Sequence, residues 1–342
     1  MKTHDEVHAR SIADPEGFWR EQAVLVDWHA PFTRVLDYSR PPFARWFVDG
    51  RINLCHNAVD RHLGDLGDSP ALIYLSTETG AEKTYTFRQL HREVNRMAGI
   101  LLGLGVGKGD RVLVYMPMIP EATFAMLACA RIGAIHSVVF GGFASVSLAT
   151  RIDDAKPKLI ISADAGSRAG KPVPYKHLLD EAIRLSKSPP ASVLLVDRGL
   201  ADMERVPGRD VDYATLRAEH MNDEVPCEWL ESSEPSYILY TSGTTGKPKG
   251  VQRDTGGYAV ALAASMKLIY CGNKGETYFA TSDIGWVVGH SYIIYGPLIA
   301  GMATIMYEGT PIRPDGGIWW KIVEQYKVTT MFSAPTAIRV LK

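Results

Sequence analysis

The sequence predicts an α/β fold in which crossover βαβ units build mostly parallel sheets. Two alternating patterns between residues 70 and 332 carry this prediction: short runs rich in Val, Ile and Leu, and longer segments whose apolar residues recur at helical spacing. Strands that alternate with helices are typical of parallel sheets, because each parallel connection needs a crossover. A chain of 342 residues is long enough for two or three subdomains.

The composition is that of an ordinary globular protein, with 46% apolar and 22% charged residues and a formal net charge of −1. A nucleic-acid partner is not expected, because such a partner calls for a clear basic excess. The four cysteines form no Cys-x-x-Cys pair, so their spacing predicts neither a zinc site nor a disulfide framework. This cysteine usage is typical of a reducing compartment, and we expect a cytoplasmic protein.

Neither a secretory leader nor a membrane partner is expected. Residues 1–20 carry acidic side chains and lack an apolar core. The uncharged stretch Val287–Met306 has about the length of a membrane span, but it is interrupted by His290, several glycines and Pro297. A buried helix and loop are predicted there instead.

The elements follow in chain order. Residues 1–65, rich in aromatic residues and turns, predict an extension that wraps the next domain. Residues 66–234 predict a first α/β subdomain, and its polar end, 199–234, a connecting region. In this subdomain the patterns predict a hairpin at 71–75 and 83–86, helices at 87–104, 120–132, 145–155 and 175–188, and strands at 110–115, 137–140, 159–162 and 193–196.

Residues 235–342 predict a second α/β subdomain. Thr255 is expected to cap its first helix. The patterns predict helices at 258–270 and 319–326 and strands at 237–240, 277–280, 304–307 and 329–332.

The segment Tyr240–Gly250 follows an apolar strand and concentrates hydroxyls, glycines and two lysines. Glycines let the backbone approach a ligand, while hydroxyls, free N–H groups and lysines bind phosphate oxygens. The spacing is not that of a Walker A loop, because Gly243 and Gly246 enclose only two residues. The residues expected to bind ATP phosphates are Thr241, Ser242, Gly243, Thr244, Thr245, Gly246, Lys247 and Lys249, of which Lys249 can equally be a solvated lysine.

This segment resembles the phosphate loop of the adenylate-forming superfamily, which includes acyl-CoA synthetases, peptide-synthetase adenylation domains and luciferases. The resemblance implies that the loop holds the β- and γ-phosphates of ATP and releases pyrophosphate. It also implies activation of a carboxylate as an acyl-adenylate, followed by transfer of the acyl group to a thiol.

The run Thr281–Tyr292 resembles the carboxylate-pocket segment of short-chain acyl-CoA synthetases. The resemblance assigns the acyl pocket to Trp286, Val287 and Val288. Acetyl-specific relatives typically carry Thr in place of Val288, and Val removes the hydroxyl from the pocket. Propionate is therefore the expected acid, although one methylene changes binding by only about 1–3 kcal/mol. Acetate or another short-chain acid in the same reaction remains an alternative.

Two further segments combine glycines after a strand with basic residues. Paired glycines admit a flat ring close to the backbone, and an arginine covers a ring or binds phosphate, although a strand-end turn and a surface loop also fit these residues. The segments resemble the CoA nucleotide site of acetyl-CoA synthetases. The resemblance assigns that site to Phe140, Gly141, Gly142 and Arg168, with Lys171 as a weaker candidate because relatives often carry Arg there.

The resemblance covers essentially the whole chain and points to the acetyl/propionyl-CoA synthetase branch. It implies propionate, ATP with Mg²⁺, and CoA as partners. No residue of this sequence is expected to coordinate the metal ion. Members are about twice as long, and the motifs that hold adenine, magnesium and ribose are not found in these residues. We therefore expect an N-terminal fragment of the large domain, without the mobile C-terminal domain and inactive alone. The alternative is a non-catalytic fragment that only binds nucleotide.

Overall fold

The computed structural model describes residues 3–241 and 248–342. The N-terminal part forms a small layer of short elements. These are helices α1 (His4–Ala13), α2 (Pro15–Gln22) and α3 (Leu54–Ala58), and strands β1 (Arg34–Arg40), β2 (Phe43–Val48) and β3 (Arg51–Ile52).

The elements up to residue 231 follow in alternation. They are β4 (Pro70–Ser76), β5 (Glu82–Thr86), α4 (Phe87–Gly103), β6 (Arg111–Tyr115), α5 (Pro120–Arg131), β7 (Ile135–Val138), α6 (Ser145–Ala155), β8 (Leu159–Ala163), β9 (Gly166–Arg168), β10 (Lys171–Val173), α7 (Tyr175–Leu185), β11 (Ser192–Val196), β12 (Asp210–Asp212), α8 (Tyr213–Glu219) and β13 (Leu230–Glu231).

The remaining elements complete two sheets. They are β14 (Pro235–Thr241), β15 (Lys249–Asp254), α9 (Gly256–Leu268), β16 (Thr277–Ala280), α10 (Val287–Gly289), a π-helical turn (His290–Tyr295), α11 (Gly296–Ile299), β17 (Ala303–Glu308), α12 (Ile318–Gln325), β18 (Val328–Phe332) and α13 (Pro335–Leu341).

The larger sheet has seven strands in the order β12-β11-β8-β6-β7-β14-β15. Its strands are parallel except β15, which runs antiparallel to β14. The second sheet has five strands in the order β18-β16-β17-β4-β5, parallel except for the β4–β5 hairpin. The predicted α/β class with mostly parallel sheets is confirmed.

The two sheets do not follow the predicted boundary between the first and second subdomains at residue 234. Strands β14 and β15 extend the sheet that begins with β6, while β4 joins β17 of the later sheet. Nearly every residue of β4 is buried, as suits a strand with neighbours on both sides. The hydrophobic pattern therefore predicts β4 as a strand, but it carries no information about which partner covers its other edge.

Several predicted details differ in the structure. The strand predicted at 137–140 lies at Ile135–Val138, so Phe140 belongs to the loop that follows it. The connecting region 199–234 contains β12, α8 and β13, elements too short to give a periodic signal. Thr255 occupies the cap position of α9, but its hydroxyl donates to the Glu234 carbonyl, and the Asp254 carboxylate accepts the Gly257 N–H at 2.9 Å instead.

The stretch Val287–Ile299 is a helical run with a π-helical turn in its middle, and it is buried from Gly289 onwards except for the half-buried Tyr292. Ile293, Ile294, Tyr295 and Leu298 in this run are fully buried in the main core. Among residues 3–241 and 248–342, no helix combines the length and apolarity that crossing a bilayer requires.

Candidate active site

A cavity of about 370 Å³ lies at the carboxyl ends of strands from both sheets. Parallel sheets commonly bind ligands at this edge, because the loops that leave the strands can diverge and form a crevice there. The loops after six strands (β4, β6, β7, β8, β16 and β17) supply its wall. The wall includes Glu78, Pro117, Met118, Phe140, Gly141, Gly142, Gly166, Ser167, Arg168, Tyr175, Thr281, Ser282, Asp283, Tyr307, Glu308, Gly309, Thr310 and Pro311.

The loop after β7 brings Phe140, Gly141 and Gly142 to this wall. A Cβ atom on Gly141 would lie 1.6 Å from the Tyr175 hydroxyl, so a side chain cannot fit there without displacing that tyrosine. Tyr175 is itself packed on Tyr115, with ring centroids 4.8 Å apart. Gly141 therefore allows its backbone to lie against the Tyr175 side chain. The sequence analysis did not single out Tyr175.

The segment predicted to bind the acyl group (Trp286, Val287 and Val288) lies next to the residues predicted to bind CoA. The Trp286 ring packs on Phe140, with centroids 5.5 Å apart, and is 48% exposed. Gly285 makes this contact possible, because a Cβ atom there would lie 2.7 Å from the Phe140 backbone. Val287 is also exposed and Val288 is half-buried. The two sets are distant in the sequence and meet through the contact between Phe140 and Trp286.

Behind the acyl segment lies a buried stack of aromatic and histidine rings. The His290 Nδ1 atom lies 3.2 Å from the Trp286 carbonyl oxygen, and burial lowers the pKa of His290 to about 4. His136 shares a 2.7 Å hydrogen bond with the Tyr295 hydroxyl, and Tyr237 stacks against both histidines. The buried rings of this stack thus pack beneath the backbone of Trp286.

Asp283 is a site residue for which the sequence indicated no role. It lines the cavity and accepts the Gly285 N–H at 2.7 Å. Burial raises the pKa of Asp283 to about 6, a shift that the Gly285 N–H opposes. A carboxyl group with this pKa changes protonation near neutral pH, next to the acyl segment.

A buried ion pair joins the two sheets at the floor of the cavity. The Arg198 guanidinium, after β11 of the larger sheet, donates two hydrogen bonds of 2.8 Å to Glu308, the last residue of β17. Tyr74 and Ser76 donate to the same carboxylate at 2.7 and 2.8 Å. These residues are far apart in the sequence and form no motif, so sequence reasoning missed them.

Arg168 and Lys171 lie on the β9–β10 hairpin. They occupy opposite positions in the antiparallel register, and the Arg168 side chain reaches the cavity wall. Lys171 is exposed and lies outside that wall. Among the described residues, neither side chain has a hydrogen-bond or ion-pair partner, so both cations are available to an anionic ligand.

The segment predicted to bind ATP phosphates lies in the sequence between β14 and β15. Its described ends, Thr241 and Lys249, are exposed and lie opposite each other in the antiparallel register. Because β14 runs parallel to β7, Thr241 lies at the same sheet edge as Phe140. Ser242, Gly243, Thr244, Thr245, Gly246 and Lys247 lie outside the described residues. Within residues 3–241 and 248–342, no cluster of His, Cys, Asp and Glu suits a metal ion.

Comparisons with known proteins agree with these features. The family model described as AMP-binding enzyme matches residues 59–341, and the acetyl-coenzyme A synthetase N-terminus model matches residues 4–58. Propionate–CoA ligase of Escherichia coli (strain K12) is 67% identical over 98% of this chain and 54% of the relative. Acetyl-coenzyme A synthetase of Methylorubrum extorquens is 48% identical over 99% of this chain and 52% of the relative.

Among solved structures, acetoacetyl-CoA synthetase from Streptomyces lividans superposes with a TM-score of 0.90 at 28% identity. The superposition covers 99% of this chain and 51% of that one. The chain thus spans about half the length of the curated relatives and of the structure it matches.

Proposed function

Because the chain belongs to the AMP-binding enzyme family, we propose that it acts in an AMP-forming propionate–CoA ligase reaction. In this reaction a propionate oxygen attacks the α-phosphate of ATP, pyrophosphate leaves, and propionyl-adenylate forms. The CoA thiol then attacks the acyl carbon, the thiol proton is released, and AMP leaves. The observation that carries the proposal is 67% identity to propionate–CoA ligase over 98% of the chain.

The adenylation step rests on placement and charge. Propionate is ionised at neutral pH, so no base is needed to activate it. The hydroxyls and the two lysines of the segment from Thr241 to Lys249 would bind the β- and γ-phosphates, and charge-assisted bonds of this kind are about twice as strong as neutral ones. Mg²⁺ would enter with ATP. The described residues provide no cluster that would hold the metal, so no step is assigned to it.

The acyl group would lie against Trp286, Val287 and Val288. Val288 is half-buried in a segment supported by buried rings, and it offers two methyl groups and no hydroxyl to the acid. An apolar wall stabilises the extra methylene of propionate relative to acetate by about 1–3 kcal/mol. Acetate is the second candidate, favoured by 48% identity to an acetyl-coenzyme A synthetase.

The CoA nucleotide would lie along Phe140, Gly141 and Gly142, with its phosphates near Arg168 and Lys171. The Phe140 and Trp286 rings are in contact, 5.5 Å between centroids, so the residues proposed for CoA adjoin those proposed for the acyl group. We further propose a cytoplasmic protein in which a mobile domain, in the part that the relatives have beyond this match, completes the site.

The test is carboxylate-dependent ATP–pyrophosphate exchange with acetate, propionate and butyrate. It would be run on this chain and on a chimera that continues it with the second half of the E. coli ligase. We expect exchange in the chimera, fastest with propionate. Faster exchange with acetate would contradict the assigned acid, and no exchange in either folded protein would contradict the reaction. Exchange in the chain alone would exclude a module that only binds nucleotide.

A further inference from the structure

The β9–β10 hairpin carries both cations proposed to meet the CoA phosphates, so its turn decides where they point. Arg168 pairs directly with Lys171, which leaves Ala169 and Gly170 as a two-residue turn. Both turn residues have positive φ values, 57° and 77°. Such turns favour Asn-Gly or Gly-Gly, and alanine adopts a positive φ only when its surroundings hold it there.

Glu78 provides that support from the five-stranded sheet. It lies in the turn between β4 and β5, and its carboxylate accepts the Gly170 N–H at 2.7 Å and the Ala169 N–H at 3.0 Å. The Ser167 hydroxyl donates to the same carboxylate at 2.8 Å. Burial raises the pKa of Glu78, but these three hydrogen bonds and the charge of Arg313 together outweigh it and hold the pKa below its usual value, so the group is a carboxylate at neutral pH.

Arg313 holds the other side of the same turn. It lies in the loop after β17, and its guanidinium donates to the Ala169 carbonyl at 2.5 Å. The Tyr307 hydroxyl, which donates to the Thr310 carbonyl at 3.1 Å, fixes the start of this loop. The turn therefore has a carboxylate on its N–H groups and a guanidinium on its carbonyl, and both come from the five-stranded sheet.

We propose that Glu78, assisted by Arg313, is a positioning residue for the anion-binding pair Arg168 and Lys171. Both Glu78 oxygens are occupied by the hairpin, so Glu78 acts through the turn and not on the ligand. The inference rests on the proposed CoA site. It adds that the affinity of the β9–β10 hairpin for the CoA phosphates depends on a carboxylate supplied by the turn between β4 and β5 of the five-stranded sheet.

The test is calorimetric titration of CoA into this chain and its Glu78→Gln variant, with amide hydrogen exchange of residues 166–173. Gln retains the size but has one acceptor oxygen, so at least one of the three donors loses its partner. We expect CoA to bind the variant about tenfold more weakly, as loss of about 1.4 kcal/mol of charge-assisted bonding implies. Exchange at Ala169 and Gly170 should become faster.

A matched control is Glu181→Gln, which removes a carboxylate from an exposed ion pair with Arg184 on α7. It should leave CoA affinity and hairpin exchange unchanged. A second variant separates positioning from direct contact: Asn tolerates a positive φ, so Ala169→Asn added to Glu78→Gln should recover part of the lost affinity.

The outcomes distinguish the two proposals. If the wild-type chain is folded and does not bind CoA, the proposed CoA site is wrong. If it binds CoA and Glu78→Gln binds equally well with unchanged hairpin exchange, the positioning role is wrong and the CoA site stands. Weaker binding that Ala169→Asn does not restore would indicate that Glu78 contacts the ligand, and would also overturn the positioning role.

Discussion

Replacing Arg198 by Met should strongly destabilise the protein, because it leaves a buried carboxylate without its cation. The side chains of Arg198 and Glu308 are only 10% and 5% exposed. Glu308 accepts two hydrogen bonds from Arg198, one from Tyr74 and one from Ser76, and the variant would keep only the last two. Removing one partner of such a pair costs about 3–5 kcal/mol of unfolding free energy.

The assay is urea unfolding at pH 7.5, followed by circular dichroism and tryptophan fluorescence. Arg184→Met is the matched control, because it removes an arginine whose partner Glu181 is exposed, and we expect no measurable change there. The double variant Arg198→Met, Glu308→Gln should recover much of the loss, since a neutral amide needs no cation. A loss below about 1 kcal/mol for Arg198→Met, or a double variant no more stable than the single one, would refute the role of this pair in joining the sheets.

Three further predictions concern the cavity. Val288→Thr, in the chimera, should lower the ratio of propionate to acetate exchange by roughly fivefold or more; an unchanged ratio would remove Val288 from the acyl pocket. Burial raises the pKa of Asp283 to about 6. The folded state thus keeps this proton to a higher pH than the unfolded chain does. As the pH rises from about 4 to about 6, the free energy of unfolding of the wild type in urea should therefore fall relative to that of Asp283→Asn. Parallel pH profiles for the two proteins would contradict that pKa. Gly141→Ala should weaken CoA binding at least about tenfold, because its Cβ would lie 1.6 Å from the Tyr175 hydroxyl, while Gly64→Ala, with no atom within 4 Å, should bind CoA normally.

Much of the fold could be predicted from the sequence because its longer elements repeat a clear pattern. Helix α4 and strands β4, β6 and β16 lie within about a residue of their expected bounds, since each combines a periodic apolar face with flanking glycines or prolines. Strand β15 was missed because its residues are mostly exposed and give no hydrophobic run. The assignment of strands to sheets was missed because it depends on pairing between residues more than 200 positions apart, such as Tyr74 and Met306.

Some residues of the candidate site could likewise be predicted from the sequence, and others could not. Phe140, Gly141, Gly142 and Arg168 lie in contiguous motifs, and the structure brings them together with the segment of Trp286 around one cavity edge. Glu78, Arg198 and Glu308 act as single residues whose partners are distant in the sequence, so a local pattern cannot reveal them.

The central claim is that CoA binds at the edge where both sheets end, next to the acyl segment. A crystal structure of this chain with CoA tests it most directly. We predict the adenine ring beside Phe140, Gly141 and Gly142 and the phosphates at Arg168 and Lys171. CoA bound elsewhere, for example in the 250 Å³ pocket between Trp19, Trp46 and Arg253, would contradict it.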